Sequence, residues 1–396
     1  SVRLCEKTSD KLLKAAIKVV SLGSGMPQFF NDEAIVNSMI KDLGIEEKDA
    51  RNYAIVGCVE LTTHGNNLGW SDVAMFNLNK ALELTLNNGK CLLTSKQIGL
   101  NLGSLETYDT FNDLEEAFKK QIDYFIDQMM EAEKIVEKAH QDCLPTAFLS
   151  TVIDDCLEKG LDVTKGGAKY NLSGIQMIQV ANLADSLAAI KKLVYDEKMI
   201  SKHELLVSLQ NDFKGHEIIQ TMLLNKVPKY GNDDDYVDNL VVEVYNVYID
   251  EMKKYPNTRY NRGPIGGIRY AGTSSISANV GQGFSTMATP DGRKAHSPLA
   301  EGCSPAHSMD KNGPTAVFKS VSKLPTHEIT GGVLLNQKVT PQLLASDENK
   351  EKLEMLIKTF FNRLDGYHVQ YNVVSRETLI DAQKHPEKHK DLIVRV

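Results

Sequence analysis

A thiol and a carboxylate stand two residues apart in "NYAIVGCVE" (Asn52–Glu60): Cys58 and Glu60, separated by Val59 and preceded by Gly57. The apolar run Tyr53–Val56 delivers them, and the polar, glycine-marked "LTTHGNNLGWSD" follows. In an extended backbone, side chains i and i+2 share a side at roughly 6–7 Å, so both groups can face one small molecule. A nearby carboxylate raises a thiol's pKa and disfavours thiolate chemistry. The pair therefore suits a cysteine that moves hydrogen atoms beside a base that moves protons. The bland alternative makes Cys58 a packed small apolar residue and Glu60 an exposed loop carboxylate. Gly57 weighs against it, because glycine permits an unusual backbone or a close approach.

Other catalytic patterns are missing. The sequence has no GxxxxGK[ST], GxSxG, HExxH or paired CxxC, and "GQGFST" (281–286) lacks the third glycine of a dinucleotide fingerprint. "DDD" (233–235) has no calcium-loop glycine after it, and His385 and His389 read as an exposed helix start, so no metal site is expected. The net charge of -7 gives no footprint for nucleic acid. No apolar run approaches the roughly 20 residues of a membrane helix, and no signal-peptide pattern opens the chain. Six scattered cysteines read as free thiols, which favours a reducing, cytoplasmic setting.

The elements that must position the pair follow from periodicity. Ser71 or Asp72 is expected to cap a helix through Asn88, with Met75, Leu78, Leu82 and Leu86 inward and Gly89 as its stop. A long helix is expected from Asn112 to about His140, with Leu114, Phe118, Ile122, Phe125, Met129 and Val136 buried. Two more are expected near 183–195 and 236–254, and "DVTKGGAKYNLSG" (Asp162–Gly174) reads as a glycine-rich turn and short strand. After Tyr255 glycine, serine and threonine rise, and strands are expected in Gly331–Val339 and Tyr367–Ser375. Helices between strands imply an α/β architecture with a closed or strongly wound sheet. No linker divides the 396 residues. The start at Ser1 and the end inside the apolar "DLIVRV" are what a segment of a longer protein is expected to show.

"NYAIVGCVE", "DVAMFNLNKALELTLNNG", "DVTKGGAKYNLSGIQ", "KYGND", "ATPDGR", "GPTAVFKSVSK" and "LIVRV", in this order, resemble the second half of a glycyl radical enzyme of the pyruvate formate-lyase superfamily. The resemblance covers the whole chain. It implies the second half of a ten-stranded α/β barrel, two antiparallel five-stranded half-barrels wrapped by helices, with 1–396 stopping before the glycyl radical loop. It implies no dissociable cofactor, a glycyl radical installed after translation on a glycine outside this chain, and a radical SAM activating enzyme as partner. A homodimer also follows from the resemblance, while enclosure in a bacterial microcompartment is left open.

For individual residues, the resemblance implies that Cys58 becomes a thiyl radical and takes a hydrogen atom from substrate carbon. Glu60 takes the proton of the hydroxyl on that carbon. A single cysteine after Gly57, with Glu60 following, points to the eliminating members rather than the acyl-transferring ones. Asp72 stands where dehydratases place a substrate-touching acid, with helix capping as its alternative role. Arg269, in the neutral "GGIRYAG", offers a planar fork for an oxyanion, with a structural ion pair as the alternative. With the closing segment, this makes the chain look most like the isethionate sulfite-lyases. The expectation is C–S cleavage of isethionate to acetaldehyde and sulfite. A diol dehydratase cleaving C–O in glycerol or propane-1,2-diol is the first rival, and a non-catalytic binding fragment the second.

Overall fold

The computed structural model describes residues 1–259, 265–273, 277–390 and 392; the expected closing strand "DLIVRV" lies, apart from Leu392, outside them. The nine strands found among the described residues are β1 (Val2–Leu4), β2 (Phe29–Asn31), β3 (Tyr53–Val56), β4 (Glu60–Thr63), β5 (Trp70–Asn77), β6 (Tyr170–Ile178), β7 (Ile265–Gly272), β8 (Asn336–Val339) and β9 (His368–Val373). β5, β6 and β7 are mutually parallel, and so are β8 and β9. A parallel bridge between Thr273 and Val333 joins the two groups. Around it Gly331 N donates to Ala271 O (2.7 Å) and Thr273 N to Gly332 O (2.8 Å). Five parallel strands thus follow one another in chain order, and β2 closes onto β9 antiparallel.

Parallel neighbours need long crossovers, and the helices supply them. Leu78–Leu86 and Phe111–Cys143 lie between β5 and β6, and Val180–Ala189 and Asp235–Lys253 between β6 and β7. Pro314–Ser322 precedes β8, and Asp347–Leu364 connects β8 to β9. A sheet covered by helices is buried on both faces, and all six residues of β9 are buried. This is one wall of an α/β barrel, with helices outside and the β3–β4 hairpin against its inner side.

Two expected elements differ in the structure. Residues 70–77 are a strand, held by parallel pairing of Ala74–Asn77 with Ile175–Ile178. The helix therefore starts at Leu78, capped by Asn77, whose side chain accepts from Lys80 N at 3.0 Å; neither Ser71 nor Asp72 caps it, and Met75 is exposed on the strand. The long helix begins at Phe111 with a capping box between Thr110 and Asp113. Leu114, Phe118 and Ile122 are buried, but Val136 is 55% exposed. In the last third of that helix Glu133, Glu137 and Gln141, spaced by four, take the inward face instead.

Candidate active site

β3 and β4 form a tight antiparallel hairpin, Val56 opposite Glu60, with Gly57, Cys58 and Val59 as its tip. Gly57 has φ +58°, a left-handed conformation that a side chain disfavours. The chain therefore reverses at Cys58 instead of running on as an extended strand, and the expected i, i+2 alternation does not apply. What brings the groups together is a local hydrogen-bond pattern. Glu60 Oε2 accepts from Cys58 N (2.7 Å) and from Val59 N (3.0 Å), so the carboxylate folds back under the tip. Glu60 is buried (4% exposed), Val59 fully so, and Cys58 half-buried. The base of the hairpin is tied down by Arg3, which pairs with Asp32 (2.7 Å) and lies over the Tyr53 ring, while Tyr53 OH donates to Asp32 (2.7 Å).

Tyr270, on β7, was not singled out by sequence reasoning, although alternation from Arg269 would have pointed to it. Its side chain is buried, with Ser71 near its hydroxyl. Burial, with Glu60 and Asp72 adding negative charge nearby, pushes its phenol well above the ordinary value. Asp72 is exposed on β5 and lines a cleft of about 560 Å³ with Val56, Trp70, Met129, Glu133 and His140.

Arg269 lies on the opposite face of β7. It is 3% exposed, ion-paired with Glu133 on the long helix, and Nη2 donates to Pro256 O at 3.4 Å. Arg259 completes the cluster. Its Nη2 donates to Ser173 Oγ and Leu172 O (both 2.8 Å), its guanidinium lies 4.9 Å from the Trp70 ring centroid, and Glu137 Oε1 sits at 3.7 Å. Burial pushes the Glu133 carboxyl up to about 7 against the pull of Arg269. Burial also raises Glu137, but hydrogen bonds from Thr258 and the charge of Arg259 outweigh it and hold that carboxyl below its ordinary value. The structure thus gathers Cys58, Glu60 and Tyr270 on the inner side and holds Arg269 behind the sheet.

The family description "Pyruvate formate lyase-like" matches residues 1–283, and "Glycine radical" matches residues 299–396. The chain belongs to the glycyl radical enzymes. Among relatives of this family, it is 46% identical over 407 aligned residues to "Probable dehydratase YbiW" of Escherichia coli (strain K12), covering 100% of this chain and 49% of that protein. "Isethionate sulfite-lyase" of Oleidesulfovibrio alaskensis is 33% identical over 404 residues, covering 100% and 47%. Among solved structures, the glycerol-bound B12-independent glycerol dehydratase from Clostridium butyricum superposes with a TM-score of 0.93 at 44% identity, covering 100% of this chain and 49% of that one. The chain spans about half the length of the glycyl radical enzymes it matches.

Proposed function

We propose that this chain supplies the hydrogen-atom carrier and the base of a glycyl radical eliminase, and that the bond it breaks is C–O in a small vicinal diol. The observation that carries this reading is the Glu60 carboxylate bonded to the backbone amide of Cys58 itself. One substrate carbon can then present its C–H to the sulfur and its O–H to the carboxylate. The half-buried position of Cys58 at a turn tip fits a thiol that receives a radical from a partner loop. The glycyl radical, when installed by a radical SAM activating enzyme, supplies the one-electron oxidant.

Cys58, as thiyl, takes the hydrogen atom from the hydroxyl-bearing carbon and becomes a thiol. Glu60 takes the hydroxyl proton, which raises the electron density on that carbon and drives out the neighbouring hydroxyl. That hydroxyl leaves as water with the proton Glu60 held. The Cys58 thiol returns its hydrogen atom to the remaining carbon radical, so the diol becomes an aldehyde and water. Burial strengthens each of these charge movements by excluding solvent.

The sulfonate reading drew on Arg269. With that guanidinium committed to Glu133 behind the sheet, a neutral diol suits the inner face better than an anionic sulfonate. The relative named a dehydratase is also the more similar of the two curated relatives compared. The test is anaerobic activation of the full polypeptide, offered propane-1,2-diol and isethionate in parallel. Aldehyde from the diol without sulfite from isethionate is expected. Sulfite release would restore C–S cleavage, and absence of a glycyl radical signal by electron paramagnetic resonance would leave only a binding role.

A further inference from the structure

Two adjacent glycines, Gly331 and Gly332, stand directly behind the hairpin tip. A Cβ on Gly332 would lie 2.5 Å from Val59 O, 3.0 Å from its carbonyl carbon and 3.2 Å from Cγ2. Gly332 also has φ +110°, a conformation that side chains avoid. A Cβ on Gly331 would lie 2.8 Å from Ala271 O and 2.9 Å from Cε2 of the Tyr270 ring. The segment cannot retreat, because Gly331 N is bonded to Ala271 O (2.7 Å), Gly332 O to Thr273 N (2.8 Å) and Leu334 N to Thr273 O (3.2 Å). Val59, the residue pressed onto it, is fully buried.

We infer that Gly331–Gly332 is the seat that sets how far the Cys58–Glu60 tip projects from the barrel wall, which makes Gly332 a positioning residue for the reaction. The inference rests on the reading of Cys58 and Glu60 as the reacting groups. A methyl group at 332 has backbone carbonyl on one side and a hydrogen-bonded ladder on the other. The softer of the two, the three-residue tip, must move. The three atoms nearest the Gly332 Cβ position all belong to Val59, so Gly332 acts through that residue.

The test is Gly332→Ala in the full polypeptide. Gly215→Ala serves as control for backbone strain alone, since Gly215 has φ +78° and nothing within 4 Å of its Cβ position. Before activation, alkylation of Cys58 by iodoacetamide is followed by peptide mass. A several-fold change in rate is expected for Gly332→Ala and none for Gly215→Ala. After activation, a displacement of the tip lowers kcat about a hundredfold with KM and glycyl radical yield near wild type. A folded Gly332→Ala protein with wild-type alkylation and wild-type kcat overturns the inference. If that variant does not fold, Val59→Ala, which trims the seated side chain, is expected to raise the alkylation rate, and an unchanged rate overturns it equally. Altered alkylation in a protein that never turns over keeps the seat and removes the elimination reading instead.

Discussion

The two faces of β7 carry the same kinds of residue and use them differently. On the inner side, Glu60 accepts hydrogen bonds from two backbone amides of its own hairpin, and Tyr270 stands near enough to feel its charge. On the helix side, Glu133 and Glu137 meet Arg269 and Arg259 in a buried cluster with Ser173 and Thr258. A carboxylate satisfied by amides keeps capacity for a small molecule. One satisfied by a guanidinium is already bound to its counter-charge, and breaking that pair to bind something else is costly. The contrast teaches that a charge in a neutral strand is read correctly only with its face.

The largest expected effect is at the tip. Cys58→Ser removes turnover while leaving the glycyl radical signal in place. Glu60→Gln keeps an oxygen for the two amides but not the base, so kcat falls about 10²- to 10⁴-fold with little change in Tm. An active Glu60→Gln enzyme would break the comparison at its inner side.

Next comes the helix side. Arg269→Met leaves Glu133 without its counter-charge, and a stability loss of about 3–5 kcal/mol is expected in denaturant unfolding, with KM for the diol unchanged. The double variant Glu133→Leu/Arg269→Met recovers most of that loss, and the double-mutant cycle measures the coupling. A KM effect without a stability effect would move Arg269 into the substrate site.

The cluster also predicts a pH dependence. The Glu133 carboxyl is raised from 4.5 to about 7, so between those values the folded chain keeps a proton that the unfolded chain releases. Its contribution to stability is therefore lost as pH rises from 4.5 to about 7. Burial raises the Asp185 carboxyl to about 7 as well, so urea midpoints should fall across this range in the wild type and fall less steeply in Glu133→Gln. The smallest effect separates strand from helix at 70–77. Asn77→Ala costs about 1 kcal/mol as a lost cap, whereas Asp72→Ala, exposed on β5, stays within about 0.5 kcal/mol.

Much of the framework was legible from pattern. The helices at 111–143 and 235–253 and the strand at 368–373 repeat their apolar residues at the periods that packing demands, and the strand at 336–339 falls inside the expected stretch 331–339. The helix cap at Ser71 or Asp72 was misplaced because 70–77 carries apolar residues at both helical and extended spacings, and the parallel partner β6 lies about a hundred residues away. Val136 was assigned to the buried stripe by period alone, but Glu133 and Glu137 occupy that face because Arg269 and Arg259 come to meet them. The seat at Gly331–Gly332 had a signal, a glycine pair opening a strand, but nothing in it named Val59 as the neighbour.

By itself the sequence determined that a thiol and a carboxylate stand close together, since Cys58 and Glu60 are two residues apart and no distant partner is needed; that they sit on a turn and not along an extended strand came from the structure. Only the tertiary structure decided which way each strand residue faces, and so that Tyr270 belongs beside Glu60 while Arg269 belongs to the helix. Alternation along a strand fixes relative sides, but which side is the interior depends on what the rest of the chain packs against it.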